Sequence, residues 1–201
     1  MEEVLASRPI VYPLTLPMCA PVTDGGAAAI LCTEAALDKY GFDRRRTIKV
    51  YSSVLMSGRN GPYDTTQTSV TAQTAKKAYE AAGVGPEEMS VAEVHDATAV
   101  GEITASEAIG LCPIGEGGTW AERGETSIGG RIPINPSGGL ESKGHPIGAT
   151  GLGQMFELVS QLRGECGPRQ VENARFAVQE NGGGLIGTEA GVVVVSVLGK
   201  A

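Results

Sequence analysis

The sequence predicts an α/β fold with strands buried between helices. Three observations carry it. Strand-like and helix-like segments alternate in two successive blocks of a 201-residue chain. The strand candidates Ser90–Val94 and Gly191–Leu198 are mostly apolar rather than alternating, as strands covered on both faces are. Three helix candidates run up to a glycine, the commonest helix stop.

In order along the chain, Ala6–Pro17 reads as irregular and extended, because its prolines remove ladder donors. Asp24-Gly25-Gly26 is a turn. The apolar run Ala27–Thr33 is expected as a buried strand, and Thr33–Gly41 as a helix closed by Gly41. Thr47–Ser53 alternates like a strand. Ser57–Thr66 is polar and holds Gly58, Gly61 and Pro62, which marks a boundary or an active-site loop. Thr68–Gly83 is a helix, with Val70, Ala75, Ala78 and Ala82 at helical spacing. A short turn at Pro86-Glu87-Glu88, the strand Ser90–Val94 and a helix near Ala99–Leu111 follow. The stretch around GEGGTWAERGETSIGG is expected as a long surface loop. A helix at Gly151–Gly164 and two strands, Arg175–Gln179 and Gly191–Leu198, close the chain.

Composition narrows the function. The net charge of −7 leaves no basic stripe for phosphate backbones, so nucleic acid is not an expected partner. The longest aliphatic run, Val192–Leu198, is too short to span a membrane. The start MEEVLASRP lacks a basic, apolar leader, so a cytoplasmic location is expected. Cys19, Cys32, Cys112 and Cys166 are widely spaced and show no C-x-x-C, so neither a metal site nor a redox pair is expected. They are expected reduced and mostly buried.

Glycine makes up 29 residues, about twice its usual share, and 13 of them lie in Gly110–Gly153. That crowding surrounds one of only two histidines. His145 sits in NPSGGLESKGHPIGATGLGQ (Asn135–Gln154), followed by a helix. Glycines let backbone approach a ligand, and a helix N-terminus supplies free N–H groups and positive potential. Such surroundings favour a neutral imidazole that donates to a developing oxyanion. His95 follows the strand candidate SVAEV directly, at the strand end where open α/β sheets bind ligands. A third candidate wall is Gln179–Gly184, QENGGG, whose successive N–H groups could form an anion-binding nest. GATGLG does not have the dinucleotide spacing G-x-G-x-x-G, and no G-K-[ST] follows, so neither nucleotide motif is present.

Together these segments resemble the C-terminal half of a thiolase. Asn135–Gln154 is similar to the family signature N-x-x-G-G-x-x-x-x-G-H-P-x-G-A-[ST]-G. EVHDAT (Glu93–Thr98) resembles the E-V-H-D-C-F segment of the sterol-carrier-protein, or lipid-transfer-protein, type. Pro17–Ala36 resembles the segment closing the family's first half. The resemblance implies a thiolase-like fold, with a mixed sheet and layered helices. Residues 1–65 would close the N-terminal half and residues 66–201 would form the C-terminal domain.

The resemblance also implies chemistry: making or breaking a carbon–carbon bond beside a coenzyme A thioester. It gives His145 the role of activating base and oxyanion donor, with His95 completing the same oxyanion hole. Gly182 would supply a backbone N–H to a second hole, and Asn135, Gly144 and Glu180 belong to the substrate-binding shell. No permanently bound cofactor is implied. The expected partners are an acyl-CoA substrate, a missing N-terminal half or partner subunit, and a second copy of the protein. The family's nucleophilic cysteine belongs to the first half, and neither Cys19 nor Cys32 falls in its segment. Its acid/base cysteine is also replaced, by Glu180 in one family pattern and by Ala97 in the other. A buried Glu180 could carry the proton instead. Three readings follow: a thiolase-like acyltransferase, a retro-aldol lyase acting on a 3-hydroxyacyl-CoA, and a non-catalytic thiolase-like subunit.

Overall fold

The computed structural model describes residues 1–59 and 68–200. From residue 60 onward, the polar Ser57–Thr66 stretch therefore lies outside the described residues. The centre is a four-stranded mixed sheet in the order β3-β6-β5-β4. Strand β5 (Phe176–Ile186) and strand β6 (Glu189–Lys200) form a long antiparallel hairpin. β3 (Ile48–Ser57) pairs antiparallel with β6, and β4 (Val91–Glu93) runs parallel to β5.

The apolar strands are covered on both faces, and adjacent residues face opposite layers. Ala92, Val178 and Val197 pack with Val70, Ala75, Ala78 and Tyr79 of helix α3 (Val70–Ala82). Their neighbours Val91, Ala177 and Leu198 pack with Leu158 and Leu162 of helix α7 (Thr150–Arg163). The result is a helix–sheet–helix sandwich. Helix α3 is capped by Ser69, whose side chain accepts from Ala72 N, and ends at Gly83. Buried Glu189 also receives the N–H of Val70, tying the helix start to β6. Helix α4 (Ala99–Ala108) follows the β4 loop, capped by Thr98. Helix α2 (Glu34–Tyr40) lies where expected, with Thr33 and Gly41 as its caps. No helix among the described residues is long and apolar enough to cross a membrane.

Three expectations need correction. Ala27–Thr33 is not a buried strand: it has no regular structure, and Ile30 is 93% exposed. No strand edge lies beside it among the described residues, so its apolar side chains have nothing to pack on. The glycine-rich stretch after Gly115 is not only loop. It folds helix α5 (Gly117–Glu122), which buries Trp120 beneath the Arg131 guanidinium. Finally, Gly182–Gly184 is not a turn nest. It continues β5, Gly182 pairs with Val193, and the hairpin turns later, at Gly187-Thr188.

The N-terminal residues add helix α1 (Glu2–Ala6) and a small hairpin of β1 (Pro9–Val11) with β2 (Leu14–Thr15). The chain then runs along the end of the sheet. There Ala20 N donates to Ala97 O, and His145 N donates to Pro21 O.

Candidate active site

The site forms where β4 ends. Asn135 N donates to Ala92 O at 2.9 Å, laying the glycine-rich segment beside the strand. The Asn135 side chain completes the seam: its Oδ1 accepts from Val94 N at 2.8 Å and its Nδ2 donates to Glu102 at 2.7 Å. One turn further, Asp96 accepts the N–H of Leu140 at 2.8 Å, holding the short helix α6 (Gly139–Lys143) against the residue after His95. Only glycine fits at 139, where φ is +62° and a Cβ would overlap the Asp96 carboxylate. Gly144 is constrained in the same way, with φ +92° and the Thr23 side chain where its Cβ would stand. These anchors deliver His145 beside His95.

The two imidazoles stand edge to face, with centroids 4.8 Å apart and planes at 88°. Both rings are half-buried. His145 Nδ1 lies 2.7 Å from Thr150 Oγ1, the first residue of α7, so the helix start holds the ring. His95 Nδ1 meets Asn181 Nδ2 at 3.2 Å. Behind the pair, the buried Glu180 carboxylate accepts the backbone N–H of His95 at 3.0 Å.

Burial sets the protonation states. It pushes the Glu180 carboxyl up to about 7 against the His95 N–H bond, which favours the anion. Burial, and then the neighbouring His145, lower His95 to about 4, so its ring is neutral at physiological pH. Glu93 is also pushed up to about 7 by burial, although Lys143 and Ser137 oppose it. Ser137 donates to Glu93 through both N and Oγ.

The structure thus brings His95, His145 and Glu180 together. Gly182 lies two residues further along β5 and is half-buried. Asn135 and Gly144 hold the frame. Sequence reasoning missed Thr150, Asn181 and Gln154, which contact the two rings or support those contacts. Asn181 follows the Glu180 candidate directly, and Gln154 lies one helical turn beyond Thr150. The cysteines take no part in the pair. Cys112 and Cys166 are buried, and burial foremost pushes both thiols up to about 11, away from thiolate reactivity. Cys19 is half-buried and Cys32 exposed, the latter against expectation. Among the described residues no three His, Cys, Asp or Glu side chains are arranged to hold a metal ion.

A mixed sheet between helices, with paired histidines at a strand end and a helix start, defines a thiolase-type domain. The chain belongs to the thiolase C-terminal domain-like family, whose profile matches residues 59–197. Human sterol carrier protein 2 is 42% identical, over 94% of this chain and 36% of its own length. A benzoylsuccinyl-CoA thiolase subunit of Thauera aromatica is 41% identical over 86% of this chain and 45% of its own. An acetyl-CoA acetyltransferase of Methanothermobacter thermautotrophicus is 41% identical over 94% of this chain and 50% of its own. The chain therefore spans half or less of the length of these curated relatives. A solved Ltp2–ChsH2(DUF35) aldolase shares the fold at TM-score 0.74, with 20% identity, 99% of this chain and 50% of that chain covered.

Proposed function

We propose that this chain is the C-terminal part of a thiolase-like acyl-CoA enzyme that makes or breaks a carbon–carbon bond beside a coenzyme A thioester. The observation that carries this reading is the edge-to-face pair of His95 and His145 at 4.8 Å, half-buried and hydrogen-bonded from behind. Such a pair can place a donor and a base on one thioester group. His145 is the base or oxyanion donor and His95 its helper. Donors fixed in a partly dehydrated site stabilise a thioester enolate or tetrahedral oxyanion without reorganising. Gly182 N–H serves a second oxyanion, with Asn135 and Gly144 shaping the substrate side.

Residues 1–65 act as the close of the first half, and 66–201 as the C-terminal domain. The missing half, or a partner subunit, supplies the rest of the site. Helix α7 supports this: its Leu152 and Phe156, one turn apart, are 42% and 69% exposed on the face away from the sheet. The working protein is a cytoplasmic homo-oligomer in this reading.

A second reading, the retro-aldol lyase, is favoured by Glu180. A buried carboxyl near 7 stands where the family pattern has an acid/base cysteine. In that reaction a base takes the proton of the 3-hydroxyl and the C2–C3 bond breaks. The carbonyl product leaves, and the thioester enolate takes a proton at C2. No acyl transfer to a thiol is needed. The relevant assay offers the complete protein a 3-oxoacyl-CoA with free CoA, and separately a 3-hydroxyacyl-CoA without it. Cleavage of the first alone supports thiolysis, and cleavage of the second alone supports the lyase. Turnover of neither leaves the non-catalytic subunit.

A further inference from the structure

We infer that Asn181 and Gln154 are positioning residues that lock His95 in the tautomer carrying its proton on Nε2, so that this ring serves the site only as a hydrogen-bond donor. The inference rests on the reading of the histidine pair as the reacting centre and adds a division of labour within it.

The chain of contacts begins at a group whose polarity is fixed. Glu180 O, a backbone carbonyl, can only accept, and Gln154 Nε2 lies 3.0 Å from it. The Gln154 amide is thereby oriented, and its Oε1 faces the other way as an acceptor. Two side chains converge on that oxygen. Gln179 Nε2 approaches to 2.9 Å and Asn181 Nδ2 to 3.1 Å. Gln179 holds this orientation although its own buried Oε1 has no partner. The Asn181 amide is thus oriented in turn, because reversing it would set two carbonyl oxygens against each other. Its Nδ2 carries two hydrogens: one goes to Gln154, and the other meets His95 Nδ1 at 3.2 Å. His95 Nδ1 therefore accepts, and a neutral ring must carry its only proton on Nε2. Among the described residues no protein group hydrogen-bonds His95 Nε2.

His145 is held differently. Its Nδ1 partner is the Thr150 hydroxyl, whose single hydrogen can go either to the ring or to Pro146 O, 3.2 Å away. Either tautomer of His145 is satisfied, so this ring can give up and regain a proton during turnover while His95 cannot. A chain of three hydrogen bonds, anchored on one carbonyl, assigns the donor role to His95 and leaves proton transfer to His145.

The test is a long-range 1H–15N correlation spectrum of the full chain with 15N-labelled histidine. Only two histidines are present, and His95→Gln identifies each set of signals. The expected spectrum shows a pyridine-like Nδ1 and a pyrrole-like Nε2 for His95 at neutral pH. Asn181→Asp replaces the donor with an acceptor, so the His95 pattern should reverse, with the proton moving to Nδ1. Gln154→Leu frees the Asn181 amide, so the His95 signals should shift toward a mixture of the two tautomers. A pyrrole-like Nδ1 in the unaltered chain, or an unchanged pattern in Asn181→Asp, overturns the inference. The nitrogen shifts report the lock without any turnover. Should the pattern hold while His95→Ala leaves turnover of the complete protein intact, the active-site reading fails and the lock stands.

Discussion

His95 and His145 come from segments fifty residues apart, yet their rings meet edge to face at 4.8 Å. Neither segment places its histidine alone. His95 depends on Asn181 from β5 and His145 on Thr150 from α7, while Asp96 and Asn135 tie the two segments together. The pair is a product of tertiary packing, and its disruption should be visible in several independent ways.

Gly144 is a sensitive point in that packing. Gly144→Ala adds a Cβ where the Thr23 side chain stands, at a backbone conformation that side chains rarely adopt. The strain alone costs about 1–3 kcal/mol. Thermal unfolding should show the loss, and turnover of the complete protein should fall with it, because His145 is the next residue.

The buried carboxyls give stability a defined pH dependence. Glu93 and Glu180, raised from 4.5 to about 7, bind a proton more tightly in the folded chain than in the unfolded one. Their contribution is intact below about pH 4.5 and is lost as pH rises toward 7, by about 3 kcal/mol for Glu180. Denaturant midpoints measured between pH 4.5 and 8 should fall toward the alkaline end. Glu180→Gln keeps an acceptor for His95 N and should flatten that fall.

His95 acts with the opposite sign. Lowered from 6.5 to about 4, it favours the folded chain above pH 6.5, and that contribution is lost on acidification toward pH 4. His95→Asn should remove this acid-side loss while leaving the alkaline-side fall in place. The same denaturation series, run on both variants, separates the two effects.

The two faces of α7 should respond differently to truncation. Leu162 is 1% exposed against the sheet, so Leu162→Ala should cost about 2–5 kcal/mol. Phe156 points away from the sheet, and Phe156→Ser should change the unfolding free energy of this chain by less than about 0.5 kcal/mol. In the proposed reading, the same change should weaken association with a first half or partner subunit, measured by co-purification or sedimentation.

Much of the fold is legible in the sequence, because burial on both faces leaves a one-dimensional trace. Val91, Ala177, Val197 and Leu198 belong to plain apolar runs, and helices α2, α3 and α7 end at Gly41, Gly83 and Gly164. The errors arise where the decisive partner is distant or missing. Ala27–Thr33 is apolar enough for a strand but has no ladder beside it. Helix α5 opens on two glycines, which hide it from local propensity, and the buried Trp120 is its only strong signal. Gly182 and Gly183 look like part of a turn because pairing with β6, not side-chain preference, keeps them extended, while Gly184 stands at φ +64°. In the site, the histidines are visible through their rarity and their neighbours. Asn181 and Gln154 are not, because an amide pair oriented by one carbonyl has no signature in spacing.

The role of His145 is read out by turnover of the complete protein carrying His145→Ala, with assembly checked by sedimentation in parallel. An essential base or oxyanion donor makes the expected loss about 10²–10⁴-fold in kcat on a 3-oxoacyl- or 3-hydroxyacyl-CoA, with the assembly intact. Unchanged turnover in an intact assembly would contradict the claim and leave the histidine pair a structural feature of a non-catalytic subunit.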